Sequence, residues 1–345
     1  MKAAFMYGKR DIRIREVPVP EIQADEVLIR VKRAAICGSD VRAYLNGMKG
    51  VDKAHPVIIG HELAGVIEET GSRVKYYRKG MRVTVAPNLG CGMCDDCIRG
   101  KSHMCKKYRA LGIHLDGGFA EYMRVPAAAV SAGNIVEISD KISFAEAAIA
   151  EAMSCVLNGC QQCNIRPGDS VLIIGAGPIG VMHGMLAKLS GATRIYINDI
   201  SESRLEECKK ILPYIIAIHG DLKKCIESET EQKGVDVVIT ACPVPTVQQQ
   251  ALELVANYGR VCFFGGLPEE KKMVSLNTNA IHYKQLSVTG TTRASLAQFK
   301  EVVGFMEAGV IDIRKLITRE IELDDITKGF EYACASNGLK NVIRM

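Results

Sequence analysis

No stretch of this 345-residue sequence approaches the roughly 18 consecutive apolar residues of a membrane-spanning helix. The opening MKAAFMYGKRDIRIRE lacks the apolar core of a signal peptide. Long runs of lysine and arginine are also missing. Basic and acidic residues alternate, and a net charge of +5 is mild for this length, so a nucleic-acid surface is not expected. There are no internal repeats and no low-complexity segments. A cytoplasmic protein with neither membrane nor nucleic acid as partner is the expectation. The hydrophobic fraction of 48% and charged fraction of 24% are those of a soluble globular protein. The length exceeds one ordinary hydrophobic core, so two domains are expected.

A disulfide framework is absent too, because thirteen cysteines in a large chain are an odd number and do not resemble the paired set of a small secreted domain. A reducing compartment leaves metal ligation and core filling. Cys155, Cys160, Cys163, Cys208, Cys225, Cys242, Cys262 and Cys334 are scattered among apolar residues and read as small buried hydrophobes. The other five stand in motifs.

The first 140 residues read as β-rich. DIRIREV and EVLIRVKRAAI alternate apolar and charged residues as half-buried strands do, and AGVIEETGSRV and GMRVTVAP continue the pattern. No segment of helical spacing is apparent there. From about residue 141 strands and helices alternate. SVLIIGAG is a continuous apolar run, PIGVMHGMLAKLSG has helical spacing, TRIYIND is a strand, and SESRLEECKKI is a helix with Ser201 as its N-cap. YIIAI, VDVVIT and GRVCFFGG supply further strands, which together predict a doubly wound parallel sheet. The tail, with LSVTGTT as a strand and SLAQFKEVVGFMEAG as a helix, is expected to fold back onto the β-rich part. The expected organisation is therefore an α/β chain with one discontinuous domain, residues 1–140 and 290–345, around a second at 141–289.

GAGPIG places Gly175, Gly177 and Gly180 in a GxGxxG pattern that closes one predicted strand and opens one predicted helix. The first glycine allows the tight turn, the second lets the backbone approach a pyrophosphate, and the third lets helix and strand pack closely. Asp199 ends the next strand, 19 residues after Gly180. A carboxylate there accepts hydrogen bonds from ribose hydroxyls and repels a 2′-phosphate, which favours NAD over NADP. Arg204 is positioned to reach a phosphate or simply to face solvent.

CGMCDDCIRGKSHMC sets Cys91, Cys94, Cys97 and Cys105 in a C-x2-C-x2-C-x7-C array. Four thiolates on a short loop suit a closed, tetrahedral structural zinc. An iron–sulfur cluster uses the same donors and is the alternative. Cys37 in ICGSDVRAYLNG, with His61 and Glu62 in IIGHELAG, offers a second and mixed donor set. Taken alone these would be a buried thiol, a turn histidine and a surface carboxylate.

The ordered motifs CGSD, GHELAG, the four-cysteine array, DGGFAEY (Asp116 to Tyr122) and GAGPIG together resemble the zinc-dependent medium-chain dehydrogenase/reductase family nearly end to end. The polyol branch, which includes sorbitol (L-iditol) dehydrogenases, is the most similar. The resemblance implies a GroES-like catalytic domain split around a Rossmann nucleotide domain, with the active site in the cleft. It makes Cys37, His61 and Glu62 catalytic-zinc ligands, with Glu151 near the metal, binding it through water or directly. It gives Ser39 a hydrogen bond to the substrate oxygen. Arg293 and Glu151 become substrate contacts, and Ile179, Asp199, Arg204, Phe264, Gly265, Gly266, Thr291, Thr292 and Arg293 cofactor contacts. Two zinc ions per chain, NAD, and a homodimer or homotetramer paired at the nucleotide sheet edge complete the picture.

The implied reaction is oxidation of a secondary alcohol of a polyol to the ketone. Some positions depart from the pattern. Arg42 replaces a frequent histidine, Ala43 and Ala294 stand where sorbitol dehydrogenases usually carry tyrosines, and Ala152 follows Glu151 in place of proline. His55 and His114 read as loop histidines. L-threonine 3-dehydrogenase, a sugar-alcohol-phosphate dehydrogenase using Arg42 and Arg293, and a non-catalytic nucleotide-binding regulator are the alternatives.

Overall fold

Strands with one buried face dominate the first third of the chain, as their period-two patterns require. The computed structural model describes residues 1–345. They fall into two units, residues 1–154 with 294–345, and residues 155–293.

In the first unit β1 (Lys2–Gly8), β2 (Asp11–Glu16) and β4 (Val57–Ile58) form a small sheet in the order β2-β1-β4. The larger sheet runs β10-β6-β5-β3-β18-β17, with β9 also paired to β3. Its strands are β3 (Val27–Ala35), β5 (Glu62–Thr70), β6 (Arg82–Val85), β9 (Tyr122–Val125), β10 (Ile135–Glu137), β17 (Ile317–Glu322) and β18 (Lys340–Arg344). The tail does return to the β-rich part: Val342 of β18 lies opposite Ala35 of β3. A short ladder of β7 (Asn88–Leu89) and β8 (Arg109–Ala110) brackets the four-cysteine loop, which holds the short helix α2 (Asp95–Ile98). Ile29, Val31, Ile67, Val83, Phe119 and Phe330 are buried together, each fully buried side chain contributing about 1.5–3 kcal/mol.

The first 140 residues are not free of helix. The segment GSDVRAYLN forms α1 (Gly38–Asn46), and α3 (Ala127–Ala132) is shorter. Only Asp40 and Tyr44 of α1 are buried, so its apolar stripe is one residue wide. That is too little for periodicity to reveal. The two units also part later than the change of texture at residue 141. In α4 (Phe144–Ala148), capped by Ser143, the Ala147 carbonyl accepts a hydrogen bond from Thr84 of β6. This helix therefore belongs with the strands before it. The division falls within α5 (Ala150–Cys163), between Ser154 and Cys155. In the tail, α11 (Leu296–Glu307) and α12 (Ile326–Cys334) belong to the first unit.

The second unit is a parallel sheet in the order β13-β12-β11-β14-β15-β16. Its strands are β11 (Ser170–Ile174), β12 (Arg194–Asn198), β13 (Ile216–Ile218), β14 (Val235–Thr240), β15 (Val255–Phe263) and β16 (Ser287–Gly290). Helices α6 (Pro178–Leu189), α7 (Glu202–Ile211), α8 (Leu222–Glu229), α9 (Pro245–Leu254) and α10 (Thr278–Lys284) connect them. Val171, Leu172 and Ile173 are all fully buried, the reason β11 is a continuous apolar run. From β11 the chain goes to β12 and β13, then crosses back to β14, so a switch point lies between β11 and β14. No helix is long and apolar enough to cross a membrane. Of the eight cysteines read as core fillers, Cys160, Cys163, Cys208 and Cys262 are buried, but Cys155, Cys225, Cys242 and Cys334 are only half-buried. The last three pack at the edges of the cores.

Candidate metal and dinucleotide sites

Sheet register brings the mixed donor set together. Glu62, the first residue of β5, lies opposite Ala35 at the end of β3, and Cys37 follows two residues later as the N-cap of α1. His61 precedes β5 directly. One ligand atom from each of Cys37, His61 and Glu62 lies within 4.8 Å of the others, with His61 and Glu62 buried. The loop before His61 is fixed by glycines. A Cβ on Gly112 or Gly117 would come within 2.4 and 2.3 Å of the Gly60 carbonyl oxygen. DGGFAEY also ties down this loop, since Asp116 Oδ1 accepts a hydrogen bond from the Ile58 amide.

Asp40 connects two of the ligands. Its Oδ2 accepts from the Cys37 amide at 3.0 Å, and its Oδ1 lies 3.3 Å from His61 Nδ1, within ion-pairing distance though outside strict hydrogen-bond alignment. A carboxylate on Nδ1 leaves Nε2 for a metal, the usual second partner of a ligating histidine. Burial disfavours the imidazolium, but Asp40 and Cys37 outweigh it and hold the His61 pKa well above its ordinary value. Ser39 Oγ stands 3.4 Å from Nε2.

Lys340, the first residue of β18, is buried and donates from Nζ to Glu62 Oε2 at 2.5 Å and to the Ile36 carbonyl at 3.2 Å. Burial opposes its charge, yet Glu62 and Cys37 raise its pKa above the ordinary lysine value. Glu62 Oε1 is buried without any hydrogen-bond partner. An orphaned carboxylate oxygen beside a thiol and an imidazole is what a divalent cation satisfies, so these residues fit zinc. Glu151 is buried, and its charge reaches Lys340, but it is not part of the close three-residue group. Asp40 and Lys340 were not among the residues singled out from sequence. A C-x-x-D pattern at a helix start could have pointed to Asp40.

Cys91, Cys94, Cys97 and Cys105 also have their sulfurs within 4.8 Å of one another. Cys94 Sγ is 3.5 Å from Cys97 Sγ and 3.7 Å from Cys105 Sγ. The Met93 and Cys94 amides draw the Cys91 thiol down to about 6, while burial pushes Cys97 up to about 12. A Cβ on Gly90 would sit 2.4 Å from Cys97 Sγ, so the strand enters the knot only as glycine. Four sulfurs and no open position make a candidate structural zinc site. Cys94→Ser is expected to lower the zinc content by one equivalent and to open residues 91–105 to proteolysis; two equivalents retained with an uncut loop would refute this.

In the second unit Gly175 adopts φ +117, and a Cβ on Gly180 would fall 1.8 Å from the Gly175 carbonyl. Gly177 is the N-cap of α6, and a Cβ there would meet nothing within 4 Å. The turn is therefore tight behind and open in front, a cradle for phosphates at the helix N-terminus. Ile179 is half-buried on the first turn of α6. Asp199 follows β12; its Oδ2 accepts from the Ala176 amide at 2.8 Å and its Oδ1 from the Ser201 amide at 2.9 Å. Arg204 is 3.9 Å from the same carboxylate. A cavity of about 440 Å³ lined by Ile174, Asp199, Ile200, His219, Val247 and Leu254 adjoins it. Phe264 stacks edge-on against buried His183 at 4.8 Å. Gly265 donates to the Thr240 carbonyl, and a Cβ there would meet the Cys242 backbone at 2.6 Å. Gly266 follows in open space, and Thr291, Thr292 and Arg293 follow the end of β16. His55 pairs with Asp52 on an exposed loop, and His114 bonds the Ala110 amide, as loop histidines do.

A thiolate–imidazole–carboxylate triad on a β-rich unit and a phosphate cradle on a parallel sheet define an NAD(P)-linked zinc dehydrogenase. Two family models match: Alcohol dehydrogenase GroES-like domain over residues 23–140 and Zinc-binding dehydrogenase over residues 178–308. The chain belongs to the zinc-binding medium-chain dehydrogenase/reductase family and oxidises a secondary alcohol to a ketone. It is similar to sorbitol dehydrogenase of Bacillus subtilis strain 168, with 34% identity over 339 residues, 96% of this chain and 93% of that one. An L-threonine 3-dehydrogenase of Bacillus velezensis is 35% identical over 324 residues, covering 92% and 91%. A zinc-binding dehydrogenase from Sinorhizobium meliloti 1021, solved bound to NADP, is 29% identical with a TM-score of 0.88, covering 100% of this chain and 99% of that one. The narrower assignment to the polyol branch is not singled out, since relatives of both kinds match equally well.

Proposed function

We propose that the alcohol is a small molecule carrying an anionic group, with L-threonine as the first candidate and NAD as hydride acceptor. Arg42 carries this reading. It lies on α1, five residues after Cys37, is exposed, and has no carboxylate partner in the chain. A guanidinium holds a carboxylate through two parallel hydrogen bonds, an interaction a neutral polyol does not use. Ala43 and Ala294 point the same way, because they lack the hydroxyls that sorbitol dehydrogenases usually offer a polyol. The similarity to an L-threonine 3-dehydrogenase supports the reading, and that to a sorbitol dehydrogenase makes an acyclic polyol the second. Asp199 supports NAD: two backbone amides fix its carboxylate where a 2′-phosphate would meet negative charge.

Bound to Cys37, His61 and Glu62, zinc would supply Lewis acidity toward the alcohol oxygen. Asp40 beside Nδ1 leaves His61 Nε2 free, and Lys340 holds Glu62 Oε2, so that Oε1 is the oxygen that would be available to a metal. Ser39 Oγ, which is exposed, accepts the hydroxyl proton and gives up its own to solvent water. NAD, when bound, would accept the two electrons of the carbinol carbon as hydride, leaving the ketone. Glu151 supplies a second negative charge near Lys340.

NAD reduction followed spectrophotometrically with L-threonine, sorbitol, 2,3-butanediol and a sugar-alcohol phosphate tests the substrate. L-Threonine is expected to give the highest kcat/KM. Arg42→Ala should raise its KM about tenfold and that of butanediol far less. Preference for sorbitol, or an equal effect on both KM values, overturns the proposal.

A further inference from the structure

The tripeptide after β16 is held by one side chain outside every motif. Asn158, on α5 and 5% exposed, donates from Nδ2 to Thr291 Oγ1 at 2.8 Å and to the Arg293 carbonyl at 2.9 Å; the Thr292 carbonyl is 3.4 Å away. An amide nitrogen has two hydrogens, and the two short contacts use both. They grip the first and last residues of a three-residue segment. Arg293 sits at φ +58, a left-handed conformation that a non-glycine residue keeps only when its surroundings hold it there. The Asn158 contact to the carbonyl of Arg293 is such a hold.

The place of the segment gives this a function. Ligands of a doubly wound sheet bind beyond the carboxyl ends of the strands, one half of a dinucleotide on each side of the switch point. Asp199 and the adjoining cavity lie beyond β12 and β13, on the adenosine side. Residues 291–293 lie beyond β16, on the other side of the switch point, where the second half of a dinucleotide would rest.

We infer that Asn158 is a positioning residue for the nicotinamide half of the cofactor, holding Thr291 to Arg293 in the conformation that presents their backbone to it. The inference rests on the dinucleotide site described above. Asn158→Asp keeps the shape but removes both donors and sets a carboxylate against the Arg293 carbonyl. With the full-length, zinc-loaded protein, NADH affinity is read by fluorescence titration and AMP affinity by calorimetry, AMP reporting the adenosine half alone. The variant should bind NADH about tenfold more weakly, as expected for two lost hydrogen bonds, and AMP as before. Thr291→Val removes one acceptor without touching α5 and should give a smaller loss in the same direction. Unchanged NADH affinity in both variants overturns the inference, and so does an equal loss of NADH and AMP, which would make Asn158 merely structural. If the unaltered protein binds neither ligand, the dinucleotide site itself is at fault.

Discussion

Cys37→Ser is expected to lower kcat/KM on the order of a thousandfold while NADH still binds with its original affinity. A serine hydroxyl stays protonated near neutral pH and is a poor zinc ligand, whereas a thiolate is a good one. Removing it leaves His61 and Glu62 as a two-donor site. Metal analysis of the same sample should show one zinc equivalent per chain, that of the four-cysteine loop. The two readouts separate the sites cleanly, because the phosphate cradle at Gly175 to Gly180 shares no residue with the triad. A variant that turns over normally with a single zinc would end the assignment of Cys37.

Lys340→Met is expected to make the fold depend on zinc. The lysine and Glu62 are 4% and 0% exposed, so their pair is not screened by solvent. Removing one partner of a buried pair costs about 3–5 kcal/mol, because a charge is left behind without compensation. Zinc supplies that compensation, so the zinc-loaded variant should lose far less than the chelated one. Thermal melts of both proteins with and without chelator measure this, the unaltered protein correcting for the four-cysteine loop. A chelated variant that melts with the chelated parent would show that Lys340 does not balance Glu62. The same variant frees Glu62 Oε2 to join the metal alongside Oε1. That closes the position a substrate needs, so kcat should fall even with zinc present.

How much the sequence disclosed depended on distance along the chain. The four-cysteine loop was legible because its donors lie within fifteen consecutive residues, and GAGPIG because strand, turn and helix are contiguous. Cys37, His61 and Glu62 needed several motifs in order, since no spacing rule joins residue 37 to residue 61. Lys340 was out of reach: it is 278 residues from Glu62 and meets it only because β18 pairs with β3 and β3 with β5. Asn158 was hidden for a similar reason, as its partners are more than 130 residues away. Helix α1 was missed although Cys37 caps it and Arg42 lies on it, because two buried residues do not make a period. Asp40 went unseen with it.

The stacking of Gly60, Gly112 and Gly117 bears on how this scaffold can diversify. Residues 112–118 look like an ordinary surface turn, the kind of place where an engineer would randomise first. Yet three α-carbons crowd there with no room for even one methyl group, and His61, a candidate metal ligand, directly follows Gly60. Libraries aimed at new substrates should leave that knot alone and vary the outward side of Gly38–Asn46 instead, where side chains change without dragging His61 along.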